Sequence, residues 1–225
     1  MSALFVTASG TGVGKTLVTA ALAWQLRARG DAVEVFKPVI SGFDARALDA
    51  CDSGVLLRAL GRDVTPATIE AISPWRFAAP LSPDMAARRE GRGIDFDALV
   101  ARCRERAQGP GRVLIEGVGG VLVPLDERHT VRDWIAALGA PAILVAGSYL
   151  GTISHTLSAL EALTSRGIAV AGIVLSESPD SPVGLDETAA VIARFAAGTR
   201  VLAVPRLDGA EPWRGAPDLL RALRL

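Results

Sequence analysis

Lysine, cysteine and histidine are scarce in this chain of 225 residues, which contains two of each. Cys51 and Cys103 stand apart and form no CxxC motif, so neither a disulfide framework nor a zinc site is expected. His129 and His155 lack the spacing of metal ligands, and we assign neither a catalytic role. Chemistry based on cysteine or histidine is therefore not expected.

Net charge and long apolar segments are also absent. Lysine plus arginine total 24, as do aspartate plus glutamate, so electrostatics favours neither a nucleic-acid partner nor an acidic membrane surface. Apolar runs are interrupted by glycine, proline or charge before they reach membrane-spanning length. The first residues lack the basic and apolar regions of a signal peptide. We expect a cytoplasmic protein without membrane or nucleic-acid partners.

The two lysines, Lys15 and Lys37, are exceptions in a chain whose other basic residues are arginine. Codon bias explains the predominance of arginine but not the places where lysine remains. A lysine carries a compact ammonium on a flexible stem, whereas an arginine carries a rigid planar fork. Since Lys15 lies in a glycine-rich segment typical of phosphate binding, we predict a functional role for Lys37 as well.

Strand-like and helix-like segments alternate along the sequence. Because the strand-like segments are continuous apolar runs, the pattern predicts an α/β fold with a mostly parallel sheet flanked by helices on both faces. We expect one domain over residues 1–225. Strands are predicted at 3–7, 32–37, 112–120, 141–147, 169–176 and 200–205. Helices are predicted at 15–29, 51–60, 95–108, 131–138, 152–167 and 185–196, with a loop at 38–44. The segment 62–95 is predicted to be loop-rich with one or two short helices.

Polar and glycine-rich segments follow the predicted strands. In open parallel sheets, ligands bind beyond the carboxyl ends of the strands. The segments at these ends are 7–16, 37–42, 116–120, 147–151, and those that begin at Ser176 and Pro205. The sequence therefore predicts one ligand site assembled from all of them.

The first of these segments, ASGTGVGKTL at residues 8–17, resembles a phosphate-binding loop. The strict pattern G-x-x-x-x-G-K-[ST] fails because position 9 is Ser9. A strand, a glycine-rich turn and a helix N-terminus nevertheless direct backbone N–H groups at an anion. An ordinary strand–helix turn is the alternative, but the G-K-T sequence favours a P-loop NTPase-like site with Lys15 on phosphate and Thr16 on Mg²⁺.

Two carboxylates are candidates to complete a magnesium site with Thr16. Glu116 ends an apolar strand, where P-loop proteins place a second acidic group for the metal. Asp52 stands directly before SGVLLRAL at the start of the predicted helix, so a helix N-cap is its alternative role. Asp44 and Asp49 lie close by in sequence. Mg²⁺ prefers such hard oxygen ligands and keeps several waters.

Five segments in order resemble the dethiobiotin synthetase family over nearly the whole chain. ASGTGVGKT is similar to the family's altered loop G-T-D-T-x-V-G-K-T, and FKPVISG to K-P-V-x-S-G. LSPDMAARREGRGID is similar to its proline-rich segment that ends in E-G. IEGVGGVLVPL resembles E-G-A-G-G-x-x-x-P-L, and LGTISH resembles L-G-x-I-N-H.

The resemblance implies a ligase reaction. One amine of 7,8-diaminopelargonic acid takes up CO₂ and becomes a carbamate. An oxygen of this carbamate then attacks the γ-phosphate of ATP. The resulting mixed carbamic–phosphoric anhydride is then closed by the second amine into a ureido ring, and phosphate is released. Lys15 and Lys37 would be catalytic, and Thr16, Asp52 and Glu116 would hold Mg²⁺. No covalent intermediate with the enzyme is needed.

The resemblance also implies binding residues and a homodimer with sites at the interface. The nucleotide-binding residues would be Gly12, Val13, Gly14, Lys15, Thr16, Leu17, Asp52, Glu116, Gly117, Val118, Gly119, Ser176, Glu177, Pro205, Arg206 and Leu207. The substrate-binding residues would be Thr11, Ser41, Leu150, Gly151, Thr152 and Ser154, the last four from the partner subunit. Ser176 and Glu177 stand where family members often have Asn-Asp, which leaves the base preference open with ATP as the default.

Three alternatives belong to other functional classes. A partition-type ATPase carries a signature lysine at the position where this chain has Gly10. A related amidoligase needs an ammonia source, usually a glutaminase domain. A nucleotide-binding module without ligase activity would not need the substrate-side motifs at 37–42 and 80–94.

Overall fold

A six-stranded parallel sheet forms the centre of the computed structural model, which describes residues 3–179 and 181–225. Strand order across it is β2-β5-β1-β6-β7-β8, and β3 and β4 form a separate pair. The strands are β1 Ala3–Ala8, β2 Val33–Phe36, β3 Val39–Ser41, β4 Trp75–Phe77, β5 Arg112–Glu116, β6 Ala142–Gly147, β7 Val170–Ser176 and β8 Val201–Val204.

Helices connect the strands and cover both faces of the sheet, which confirms the predicted fold class. Their ends follow local sequence signals: Asp95 caps α5 by accepting from the Ala98 N–H, and Thr130 and Asp133 form a capping box at α6. The helices are α1 Lys15–Ala28, α2 Asp52–Ala59, α3 Pro66–Ile72, α4 Pro83–Arg89, α5 Phe96–Ala107, α6 Val131–Leu138, α7 Thr152–Thr164, α8 Leu185–Phe195 and α9 Leu219–Leu223. Of the helices in the described residues, none is long and apolar enough to cross a membrane.

Each face of the sheet carries its own apolar core, because side chains alternate along a strand. On β1, Leu4 and Val6 pack toward α1, whereas Phe5 faces the opposite core. There the Phe5 ring meets Trp134 edge-on, with centroids 4.7 Å apart and planes at 89°. Burial of both faces explains why the strands read as continuous apolar runs.

The loop predicted at 38–44 is partly wrong. Val39–Ser41 pairs in parallel with Trp75–Phe77, a strand inside the segment predicted as loop-rich. Three-residue strands flanked by proline carry almost no periodic signal, so this pairing depends on tertiary contacts. The predicted strand at 112–120 is also too long, since β5 ends at Glu116, and helix α9 was not predicted.

The register of the central strands brings the predicted site residues together. Val6 of β1 pairs with Glu116 of β5, and Phe36 of β2 pairs with Ile115 of β5. Lys37, directly after β2, therefore lies at the same height as Glu116. The glycine-rich loop after β1 lies at this same edge of the sheet.

Candidate active site

The glycine-rich loop after β1 has the geometry of an anion-binding turn. Gly14 has a φ of 90°, a left-handed conformation that favours glycine, and Lys15 begins α1. The first hydrogen bond of α1 runs from the Val18 N–H to the Gly14 carbonyl at 3.0 Å, so the preceding N–H groups have no partner within the helix. These groups and the helix dipole suit a phosphate.

Lys37 is the centre of a buried charge cluster. Its ammonium lies 2.8 Å from Glu116 Oε1 and 3.2 Å from Asp52 Oδ2, and it donates to the Gly117 carbonyl at 3.0 Å. Lys37 is 2% exposed and Glu116 is fully buried, whereas the Asp52 side chain is 48% exposed. The cluster thus has one face open to the solvent, at Asp52.

The two lysines of the site differ in their electrostatics. Burial by itself lowers the pKa of Lys37, but the charges of Glu116 and Asp52 outweigh burial and raise the pKa well above its ordinary value. The pKa of Lys15 is lowered, first by burial and then by the positive charge of Lys37. Lys37 is therefore firmly protonated at neutral pH.

The structure distinguishes Asp52 from its neighbours in sequence. The cap of α2 is Cys51, whose Sγ accepts from the Gly54 N–H at 3.4 Å, and Asp52 is the first residue of the helix. The Asp52 carboxylate is thus directed at Lys37 rather than used as the cap. Asp44 pairs with Arg46 at the surface, and Asp49 is exposed in a short 3₁₀ helix at 48–50.

The oxygen atoms around Glu116 are chemically suited to Mg²⁺. The Thr16 hydroxyl donates to Glu116 Oε1 at 2.9 Å, and Glu116 Oε2 is buried without a hydrogen-bond partner. A buried carboxylate oxygen without a partner is costly, and a cation would relieve that cost. Within residues 3–179 and 181–225, no cluster of three Asp, Glu, His or Cys side chains could hold a metal, so the candidate ligands are two carboxylates and one hydroxyl. Such a set leaves positions for water and phosphate.

Replacing Asp52 with asparagine is expected to weaken magnesium-dependent nucleotide binding by roughly 10- to 100-fold, because it removes the charge of one candidate ligand. Binding measured in EDTA should change little. Isothermal titration calorimetry with a non-hydrolysable nucleotide, with and without Mg²⁺, measures both values.

Asp49→Asn is the matched control, since Asp49 is an exposed aspartate three residues away and outside the charge cluster. Its nucleotide affinity should equal that of the wild type. A loss in Asp49→Asn with normal binding in Asp52→Asn would move the ligand to Asp49.

A cleft of about 670 Å³ lies between the glycine-rich loop, the end of β2 and the β3–β4 pair. Its volume is that of a small-molecule site. Residues predicted for the site that line it are Thr11, Gly12, Gly14, Lys15, Thr16, Leu17, Lys37, Ser41, Asp52, Val118 and Gly119. Val13 and Gly117 are buried beside this cleft, and Glu116 is buried next to Lys37 and Thr16.

Six further residues line the cleft although we did not predict them as site residues: Ile40, Pro80, Leu81, Ser82, Pro83 and Val123. Four of them belong to the proline-rich segment. The similarity to the family motif identified that segment as substrate-side, but it did not identify individual residues. The Gly42 N–H donates to the Ala79 carbonyl at 3.0 Å, which brings this segment against Ser41. Ser41 Oγ is buried without a hydrogen-bond partner and is available to a ligand.

A second group of predicted residues lies at the ends of β7 and β8. The Glu177 carboxylate accepts from the Arg206 N–H at 2.8 Å, which ties the Pro205–Leu207 segment to β7. A Cβ atom on Gly14 would lie 2.5 Å from Ser176 Oγ, so Ser176 abuts the glycine-rich loop. This group adjoins the loop but does not line the cleft.

A third group, 150–154, lies at the start of α7. Leu150 is 80% exposed, Gly151 has a φ of 98°, and the buried Thr152 donates its hydroxyl to the Gly147 carbonyl. The described residues that line the cleft include none of this group.

The chain is similar to bacterial proteins named ATP-dependent dethiobiotin synthetase BioD. It is 51% identical to the protein of Acidiphilium cryptum over 201 residues, which cover 88% of this chain and 90% of that protein. It is 46% identical to the protein of Caulobacter sp. (strain K31) over 225 residues, which cover 99% and 96%. The model of a family described as AAA domain matches residues 2–213.

Among solved structures, the chain is similar to the MinC:MinD cell division protein complex of Aquifex aeolicus. The TM-score is 0.56 at 13% identity, over 99% of this chain and 85% of that one. The MinD cell division protein of the same organism gives a TM-score of 0.55 at 14% identity, over 99% and 86%. At this identity the likeness concerns the fold alone, and it agrees with the predicted P-loop NTPase-like architecture.

Proposed function

This chain belongs to the ATP-dependent dethiobiotin synthetase family and is an enzyme of the ligase class, and we propose that it closes the ureido ring of dethiobiotin in the cleft described above. Its substrates are 7,8-diaminopelargonic acid, CO₂ and ATP. One observation supports this site above the others: Lys37, Glu116, Asp52 and Thr16 lie together beside the glycine-rich loop.

The triphosphate lies on the glycine-rich loop in this proposal. The free N–H groups at the start of α1 bind the phosphate oxygens, and Lys15 adds a positive charge from the first residue of the helix. The nucleoside extends toward Ser176, Glu177 and the Pro205–Leu207 segment, since Ser176 adjoins Gly14.

The diamine occupies the other part of the cleft. Apolar side chains there, Ile40, Leu81 and Val123, suit the methylene chain of the substrate, and the unpartnered Ser41 hydroxyl suits its polar end. The carbamate and the transferring phosphoryl group are both anionic, so they must be brought together by positive charge. Lys15 and Lys37, which both line the cleft, provide that charge.

Thr16, Asp52 and Glu116 would hold Mg²⁺, which when bound neutralises charge on the phosphates. Lys37 is protonated because Glu116 and Asp52 stabilise its ammonium, so it acts as a positive charge rather than as a proton carrier. The carbamate oxygen itself is the nucleophile toward the γ-phosphate, and the nucleoside diphosphate leaves. The second amine of the substrate then attacks the carbonyl carbon of the mixed anhydride, and phosphate leaves as the ring closes. No side chain has to form a covalent bond.

We further propose that the active form is a homodimer in which 150–154 of one subunit reach the cleft of the other. The exposed Leu150 supports an interface at this surface. The N–H groups at the start of α7, where Gly151 and Ser154 lie, suit the distal carboxylate of the substrate. We propose one domain per chain and a cytoplasmic location, where ATP is available.

The proposed function predicts that nucleoside diphosphate release requires both diaminopelargonic acid and bicarbonate. The assay compares ATP with CTP, each with both compounds, with either one alone and with neither. Dethiobiotin formed should equal diphosphate released, because each ring closure consumes one triphosphate. The better nucleotide identifies the base that the Ser176–Glu177 end of the site accepts.

If nucleoside diphosphate is released equally fast without the diamine and bicarbonate, the proposal is overturned in favour of a nucleotidase. An analogue with a single amine is a matched control, because it can form the carbamate but cannot close the ring. It should not yield a ureido product.

A further inference from the structure

The ammonium of Lys37 contacts the same carboxylate oxygen atoms that would bind a divalent cation in the proposed function. Its three N–H groups have three oxygen partners: Glu116 Oε1 at 2.8 Å, Asp52 Oδ2 at 3.2 Å and the Gly117 carbonyl at 3.0 Å. The two carboxylates are the candidate metal ligands. Lys37 and a cation therefore compete for the same atoms, an inference that rests on the proposed site.

The charges of this cluster are already balanced. With both lysines protonated, Lys15 and Lys37 carry two positive charges, which match the two negative charges of Glu116 and Asp52. Glu116 is fully buried and Lys37 is 2% exposed, so water screens their interactions poorly. A divalent cation alone would place two uncompensated charges beside two ammonium groups, whereas the phosphates of a nucleotide bring the missing negative charge.

We propose that Lys37 holds the cation position until a triphosphate enters, so that the carboxylates accept a divalent cation only together with nucleotide. The flexible stem of lysine lets its ammonium turn from the carboxylates to phosphate oxygens. Lys37 thereby acts as a positioning residue for the cation in addition to its catalytic role. Buried Glu116 Oε2, which has no hydrogen-bond partner, remains as a further ligand atom.

The test is Mn²⁺ binding measured by electron paramagnetic resonance with no nucleotide added. Lys37→Met keeps a chain of similar length without the charge. It should bind Mn²⁺ on the order of 100-fold more tightly than the wild type, because an adjacent like charge has been removed. The double variant Lys37→Met/Asp52→Asn should lose most of this gain.

Lys15→Met is the matched control, since Lys15 is the one other lysine and its ammonium does not pair with either carboxylate in the described structure. It should raise Mn²⁺ affinity much less than Lys37→Met does. An equal gain in both variants would overturn the proposal, because general charge would then explain the effect.

The wild-type protein gives a second test that does not depend on the folding of a variant. With ¹⁵N-labelled lysine, the chain has two side-chain ammonium signals, because it has two lysines. Mg²⁺ alone should leave the Lys37 signal unchanged, whereas Mg²⁺ with a non-hydrolysable ATP analogue should shift it. A shift with Mg²⁺ alone at the same concentration would overturn the proposal.

Failure of this inference is distinguishable from failure of the proposed function. Wild-type protein that binds Mn²⁺ with the nucleotide analogue, together with a Lys37→Met variant that gains nothing without nucleotide, would refute only the role of Lys37. Wild-type protein that binds no Mn²⁺ even with the analogue would refute the metal site itself.

Discussion

Replacing Glu116 with glutamine is expected to lower kcat/KM by about 1000-fold and to destabilise the fold by about 3 kcal/mol. Glutamine keeps the shape of the side chain and can still accept from the Thr16 hydroxyl. It removes the one fully buried carboxylate of the site, which contacts Lys37 at 2.8 Å. The variant therefore leaves a buried ammonium with only the half-exposed Asp52 as its counter-ion.

Thermal unfolding measures the second effect. For a chain of this size, about 3 kcal/mol corresponds to a fall of roughly 6–12 °C in Tm. A nucleotide analogue with Mg²⁺ should raise the Tm of the wild type but hardly that of Glu116→Gln, because the variant has lost a candidate metal ligand.

Glu34→Gln is the control for Glu116→Gln. Glu34 lies on β2 and pairs with Arg62 at the surface, where loss of an ion pair costs about 1 kcal/mol or less. Its turnover should match that of the wild type. Near-normal turnover in Glu116→Gln would remove Glu116 from the chemistry and leave it a structural partner of Lys37.

The sequence predicted the central sheet well because each of its strands is a local apolar run. Alternating strands and helices indicated a parallel sheet. In a parallel sheet, the polar and glycine-rich segments that follow the strands all lie at one edge. Whatever the strand order, the glycine-rich loop, Lys37 and Glu116 follow parallel strands and so lie at the same edge of the sheet. Their mutual distances were not predictable.

Contacts within the site depend on pairings that no local pattern reveals. Lys37 and Glu116 are neighbours because β2 pairs with β5, where Phe36 lies opposite Ile115. Sequence periodicity does not reveal a pairing between two strands so far apart in the chain. The same holds for the cleft wall, where β3 pairs with β4 and carries the proline-rich segment to Ser41.

Replacing Lys37 with arginine is expected to reduce kcat by about 100-fold while the affinity for nucleotide changes less than about threefold. The ammonium directs three N–H groups at Glu116, Asp52 and the Gly117 carbonyl from one point. A planar guanidinium is larger and cannot direct its donors in that way. In a side chain that is 2% exposed, the extra atoms must displace a neighbour.

The separation of kcat from nucleotide affinity follows from which residues bind the phosphates. In the proposed site the loop N–H groups and Lys15 hold the triphosphate in the ground state, so they persist in the Lys37→Arg variant. The arginine keeps the positive charge that attracts the bound triphosphate, but its larger planar group cannot match the charge that develops during transfer, so kcat should fall. Steady-state kinetics and calorimetric nucleotide affinity measure the two quantities separately.

Arg29→Lys is the reciprocal control, because Arg29 pairs with Asp218 at the surface and lies at the far end of α1 from Lys15. It should change neither kcat nor nucleotide affinity. Normal turnover in Lys37→Arg would show that any cation suffices at this position. The retention of lysine at two places in an arginine-rich chain would then have no chemical basis at Lys37, and codon bias would be its sufficient explanation.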